Sequence, residues 1–231
     1  MSESGAVGGS RVGQGGGGLR ERKRLRMYEE VSDVAVRLFL ERGFDAVSVA
    51  EVAAVAGISK PTLFRYFPAK EDLVLYRFAD HEDEAARVVT GAPGTAPVEA
   101  LRRNFVAGLE RYDPVTGLCD HPEVLAFLTL LHGTPALAGR MHAYLERSEA
   151  ALAGALGGGL DARLAAGQVV AVQRILALDN WRRIADGERA ADVRADAVTA
   201  AERAFDRLAV AVGPVTALGR TGDPHRVDPG S

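Results

Sequence analysis

At 231 residues with 47% hydrophobic side chains, the chain is long enough to bury a self-sufficient core, so no disulfide or metal staple is needed for stability. Its one cysteine, Cys119, excludes an internal disulfide, and no run reaches a secretory signal or the ~18 apolar residues of a membrane span, so a cytoplasmic setting without a membrane partner is expected. The net charge of −3 hides an uneven split: residues 1–79 hold twelve Lys and Arg against ten Asp and Glu, the remainder sixteen against twenty-one, so an acidic body masks a basic head.

Residues 1–19 are rich in Gly and Ser with few bulky apolar side chains, which predicts a disordered leader. Arg20, Arg22, Lys23, Arg24 and Arg26 then cluster around one acid, Glu21. Such a cluster suits a phosphate backbone, and equally an ordinary solvated helix start. From here on the apolar positions recur three and four apart, predicting an all-α protein. A first helix is expected from about Arg24 to Arg42, with Val31, Val34, Ala35 and Leu38 on its inner face and Gly43 as its stop. Ser48-Val49-Ala50-Glu51 reads as a capping box, so a short second helix starts at Val49. It breaks at Gly57, after which Ser59 caps a third helix with Pro61 in its first turn and its end near Phe67-Pro68. A fourth, longer helix is expected from about Lys70 to Val89.

Beyond Pro93-Gly94, helices are predicted over about Pro97–Tyr112, His121–Leu131, Pro135–Leu156, Asp161–Asp186 and Ala190–Val212, joined at Asp113-Pro114, Gly133, Gly157-Gly158-Gly159 and Gly187. The Gly- and Pro-rich stretch 214–231 reads as a disordered tail. The resulting division is a leader over 1–19, a helix-turn-helix domain over 20–75, a body domain over 76–213 and the tail.

Two short helices meeting at a glycine turn, as in Val52–Phe67, are what a helix-turn-helix needs: the second helix enters the major groove while its neighbours grip phosphates. Ile58, Leu63 and Phe67 are spaced to pack the unit, leaving Lys60, Thr62, Arg65 and Tyr66 on or near its outer face. The apolar spacing alone would serve any three-helix core; the cationic, hydroxylated and aromatic outer face is what favours DNA.

The run Gly43-Phe44, Ser48-Val49, Val52-Ala53, Ala56-Gly57-Ile58-Ser59-Lys60, Thr62-Leu63-Phe64-Arg65-Tyr66-Phe67 and Lys70-Glu71-Asp72-Leu73 resembles the DNA-binding domain of the tetracycline-repressor (TetR) family, continuously from about Tyr28 to Leu75. The resemblance implies a sequence-specific transcriptional regulator: an N-terminal three-helix helix-turn-helix domain followed by a helical effector-binding and dimerisation domain. It implies base-edge or adjacent phosphate contacts for Lys60, Thr62 and Arg65, and phosphate contacts for Ser48, Ser59, Tyr66 and Lys70. Arg24 and its basic neighbours are expected to assist. Pro61 and Phe64 depart from the family's common residues, and each removes a potential phosphate donor.

By the same resemblance the partners are a palindromic double-stranded operator, a second copy of the chain in a homodimer, and a small-molecule effector. Occupancy of the body would move the fourth helix and change the spacing of the two recognition helices; a regulator without an effector is the alternative. The last two helices, with Leu164, Val169, Val172, Leu176 and Trp181, then Val193, Val198, Phe205, Leu208 and Val212, suit either a four-helix dimer interface or an intramolecular core. Phe105, Leu109, Tyr112, Phe127, Leu131, Met141, Tyr144, Gln173 and Trp181 mix apolar walls with polar tips as a lipophilic-ligand pocket does, although plain core packing is the better account of each taken singly. Cys119, Asp120, His121, His132 and His142 lack metal-ligand or catalytic spacing, so no enzyme activity, cofactor or metal is expected.

Overall fold

Residues spaced three and four apart fold into ten helices in the computed structural model, which describes residues 16–212. They are α1 (Gly16–Arg42), α2 (Val49–Val55), α3 (Lys60–Tyr66), α4 (Asp72–Leu75), α5 (Glu84–Thr90), α6 (Pro97–Glu110), α7 (Pro122–Gly133), α8 (Pro135–Ala155), α9 (Gly159–Ala185) and α10 (Ala190–Val212). Short 3-10 helices at Tyr76–His81 and Pro114–Thr116 complete the described residues, among which there is no strand. The chain is therefore all-α, as the periodicity predicts. Among the described residues no single helix is long and apolar enough to cross a membrane.

The first helix starts earlier than expected, at Gly16, so residues 16–19 of the predicted leader are helical and Arg20–Arg26 lie on a helix. Leu19 through Arg26 are mostly strong helix formers, and they extend the helix past the point where its apolar stripe ends. Residues 1–15 of the leader and the tail beyond 212 lie outside the described residues.

Two apolar cores organise the rest. One joins α1–α4 through Val31, Phe39, Phe44, Leu63, Phe67 and Leu73, and continues without interruption into Phe127, Leu128 and Leu131 of α7 and Leu137 of α8. Complete burial of side chains such as Phe39, Leu63 and Leu73 contributes roughly 1.5–3 kcal/mol each. Ser32 locks this unit from within: its buried hydroxyl donates to the Leu73 carbonyl at 2.7 Å, tying α1 to α4. The second core fills the body between α5, α6, α8, α9 and α10, with Leu101, Phe105, Leu109, Leu152 and Phe205 set among seven buried alanines. Val169, Val193, Phe205 and Leu208 belong to this core, so these four of the candidate interface residues pack within the chain.

The expected single helix from Lys70 to Val89 is instead three pieces, α4, a 3-10 helix and α5. Leu73, Val74 and Leu75 are all buried, covering far more of the helix circumference than one stripe. Phe78 then packs on the first core, while Val88 and Val89 join the second. The segment crosses from one core to the other, and a straight helix could not present both faces in turn.

Candidate nucleic-acid interface and effector region

The recognition unit is built from local hydrogen bonds that its sequence encodes. The Glu51 N–H donates to the Ser48 hydroxyl at 3.2 Å, and the Ser48 N–H donates to the Glu51 carboxylate at 2.8 Å. Arg42 at the end of α1 reaches the same carboxylate at 2.8 Å. These partners hold the Glu51 carboxyl down at about 2, the Ser48 N–H contributing most. The turn between α2 and α3 passes through Gly57 at φ 69°, a left-handed conformation that glycine adopts without penalty. Ser59 caps α3: its hydroxyl accepts from the Thr62 N–H at 3.2 Å and pairs with the Thr62 hydroxyl at 2.7 Å.

On this frame Ser59, Lys60, Pro61, Phe64 and Arg65 are exposed. The Lys60 ammonium lies 5.8 Å from the Phe64 ring centre. The Arg65 guanidinium sits 5.0 Å over the Tyr66 ring and donates to its hydroxyl at 3.2 Å. Tyr66 meets Tyr28 edge-on, and Tyr28 stacks on Tyr76. This aromatic chain from α1 to the 3-10 connector orients Arg65, a contribution that apolar periodicity does not report. Arg24 is exposed on α1.

Two of the expected phosphate contacts have other work in the fold. The Ser48 hydroxyl is engaged in its capping box. The Lys70 ammonium donates to the Phe44 carbonyl and lies 4.2 Å over the Phe44 ring and 5.3 Å over that of Phe39. It clamps the α3–α4 loop to the α1–α2 loop, because an ammonium above an aromatic face is favoured electrostatically.

The nine candidate pocket residues do not form one site. Phe105 and Leu109 are in the body core, whereas Phe127, Leu131, Met141 and Trp181 pack on the head core. Tyr144 approaches that group through Phe78, whose ring lies 5.8 Å from Phe127 and 5.9 Å from Tyr144. Tyr112 is exposed at the end of α6 with φ 55°, and Gln173 is half-exposed on α9. Both cores repeat with helical period, so spacing alone merges them.

Where head and body meet, the Trp181 Nε1–H is buried with no hydrogen-bond partner among the described residues, and the His132 and Trp181 ring centres lie 4.5 Å apart. Burial, and secondarily the Arg182 charge, pushes the His132 pKa down, favouring a neutral ring. Burial also pushes the Tyr144 hydroxyl up to about 12. The result is a partly apolar region with one donor unsatisfied among the described residues, bordered by the Arg77 guanidinium 5.3 Å over the Phe127 ring. Two ion pairs span the same boundary: Arg140 grips Asp72 with both nitrogens, at 2.8 and 3.0 Å, and Arg147 meets Glu82 at 2.7 Å. Asp72 also accepts from the Ala69 N–H, so one carboxylate serves the start of α4 and its link to α8. Among the described residues no His, Cys, Asp and Glu group could hold a metal. Asp120 accepts from the Ala190 N–H at the start of α10, a structural role.

Comparison with known proteins agrees with this geometry. Residues 32–76 match the bacterial regulatory proteins of the tetR family. The HTH-type transcriptional regulator TcmR of Streptomyces glaucescens is 30% identical over 137 residues, 58% of this chain and 59% of that protein, so the match spans less than two thirds of that relative. A TetR-family regulator from Streptomyces coelicolor A3 is 26% identical, with 89% of this chain and 99% of that one superposed at a TM-score of 0.54. NalD of Pseudomonas aeruginosa, the secondary repressor of the MexAB-OprM multidrug efflux pump, shares the fold at 15% identity, covering 78% of this chain and 97% of its own, with a TM-score of 0.52. The capped recognition unit and the matching segment identify residues 32–76 as a domain of the tetR family of bacterial regulatory proteins, and the helical body behind it follows the fold of TetR-family regulators.

Proposed function

We propose that the protein is a dimeric, sequence-specific DNA-binding repressor that releases a palindromic operator when a lipophilic small molecule enters its body. The observation that carries the DNA reading is the exposed face of α3, where Lys60 and Arg65 stand on a helix fixed by the Ser59 cap and the Tyr28–Tyr66 contact. A guanidinium or ammonium so placed pairs with guanine O6 and N7 in the major groove. Thr62, Ser59 and Tyr66 flank it, with Arg24 on α1 toward the backbone; Ser48 and Lys70 act chiefly by holding the unit together. Duplex selection from random DNA tests this reading. Enrichment of a palindrome, steep salt dependence and weaker binding by Arg65→Ala support it, and the absence of any enriched sequence overturns it.

Dimerisation is supported by α9. Leu160, Leu164 and Ile175 are 66%, 55% and 57% exposed, and with the half-exposed Ala171 between them they recur at helical spacing along one side of that helix. An apolar stripe of this length calls for a partner, and a second copy brings its own by two-fold symmetry. For the effector, the reading favours the junction of α7, α8 and α9, where Phe127, Leu131, Met141, Tyr144 and Trp181 gather and the Trp181 N–H lacks an acceptor. A ligand carrying a carbonyl or hydroxyl oxygen would satisfy that donor. NalD, a fold neighbour that represses a multidrug efflux pump, is consistent with a lipophilic effector.

A further inference from the structure

A separate cavity of about 270 Å³ lies within the body, between the start of α6, the end of α8, the first half of α9 and the last turns of α10. None of its lining residues belongs to α1–α4 or α7, and none is among the nine pocket candidates. Its size lies just below the roughly 300–1,000 Å³ typical of small-molecule sites. Leu101, Leu156, Val169 and Phe205 form a dry wall, so the occupant's body must be apolar.

Charge at the mouth specifies the rest. The Glu99 carboxylate is already held by Arg102 at 2.7 and 2.8 Å and by Arg103. Arg102 in turn reaches Glu202 at 3.9 Å. Asp206, which also lines the cavity, feels the Arg102 charge only at longer range and makes no ion pair or hydrogen bond among the described residues. The charged residues that line the cavity are Glu99, Arg102 and Asp206, two carboxylates and one guanidinium, so its lining carries one uncompensated negative charge. A neutral lipophile would partly desolvate the Asp206 carboxylate without giving it a partner, and an anion would be repelled. A cation with an apolar body meets both demands.

We propose that this cavity binds a small lipophilic amine in its protonated form, with the apolar part against Phe205 and Val169 and the ammonium at Asp206. The site is distinct from the junction of α7, α8 and α9, and it stands whether or not the chain binds an operator. Its position is next to the connector, because α6 packs on α5 as well as on α10.

Calorimetric titration of the full-length protein with phenethylamine at neutral pH tests the proposal, with phenethyl alcohol and hydrocinnamate as neutral and anionic controls. The amine is expected to bind about fivefold or more tightly than the alcohol, with no binding of the acid. Asp206→Asn should erase the preference for the amine, and Ala209→Phe should fill the cavity and abolish binding. Both positions are exposed, and an unchanged thermal midpoint certifies the fold of each variant. Failure of the amine to bind, equal affinity for amine and alcohol, or binding that survives Ala209→Phe would each overturn the proposal. Operator selection by the same preparation reports separately on the DNA reading: a protein that selects an operator and ignores phenethylamine loses only this inference.

Discussion

The head and the body are both helical, but their interiors are made differently. In the head, Phe39, Phe44, Phe67 and the Tyr28–Tyr66–Tyr76 chain fill the space between short helices, and hydrogen bonds at Ser32, Ser48 and Ser59 fix their mutual placement. In the body, long helices approach across alanines such as Ala162, Ala165, Ala166, Ala197 and Ala201. Bulky side chains over-determine one arrangement, as a unit that must match the spacing of a groove requires. Small ones bring backbones close and leave the positions of whole helices to loops and end contacts. The head core does not stop at the chain's apparent domain boundary, because Phe127, Leu128, Leu131 and Leu137 complete it. The start of α8 therefore packs in the head core, while its end at Leu152 belongs to the body core.

Exchanging glycines gives the sharpest test of this contrast. At Gly117, φ is 73° and an added Cβ would lie 1.9 Å from the Ala177 carbonyl oxygen on α9, so Gly117→Ala is expected to cost more than about 3 kcal/mol in denaturant unfolding. Gly57 in the head has φ 69° but nothing within 4 Å of the added atom, so Gly57→Ala should cost only about 1–2 kcal/mol. Comparable losses at the two positions would show that close backbone approach is not what distinguishes the body.

Function divides in the same way. Arg65→Ala should weaken operator binding roughly ten- to a hundredfold without shifting the thermal midpoint. A fall in both would make Arg65 a structural residue. At the boundary, Trp181→Phe removes the unsatisfied N–H while keeping most of the packing. It should leave operator affinity within about twofold and weaken an oxygen-bearing effector by roughly fivefold, measured as the concentration that halves operator occupancy; unchanged effector potency would move the effector elsewhere.

The exposed bridge between Arg140 and Asp72 is expected to contribute at most about 1 kcal/mol. Arg140→Ala should nevertheless speed amide exchange at the start of α4 and leave α10 unaffected. The smallest effect concerns acid. The Glu51 carboxyl is held at about 2, below its ordinary value of 4.5, so its contribution is complete above that ordinary value and is lost as the pH falls toward about 2. Glu51→Gln should flatten the acid limb of head unfolding in that window, and an unchanged acid profile would remove the capping box as its source.

What could be seen in the sequence follows the range of the interactions. The capping box at Ser48 and Glu51, the Ser59 cap and the turn at Gly57 span three residues or fewer, and each stands in the structure where the sequence puts it. The Lys70 clamp on Phe44, the Ser32 bond to Leu73 and the Arg140 bridge to Asp72 link residues 26, 41 and 68 positions apart, so no local pattern encodes them. Two cores with one helical period explain why Phe105 and Phe127 look alike in sequence yet lie in different packings. The broken connector was hidden for a related reason: its apolar residues satisfy a helix, and only the need to serve both cores in succession bends it.

That connector has a consequence for length. Its middle, Tyr76–His81, is six residues of 3-10 helix, which rises about 2.0 Å per residue where an α-helix rises about 1.5 Å. Rewinding those residues as α-helix would draw head and body together by about 3 Å. A change of winding alone, with no hinge, therefore shortens the link by about the thickness of one stacked base pair, ~3.4 Å.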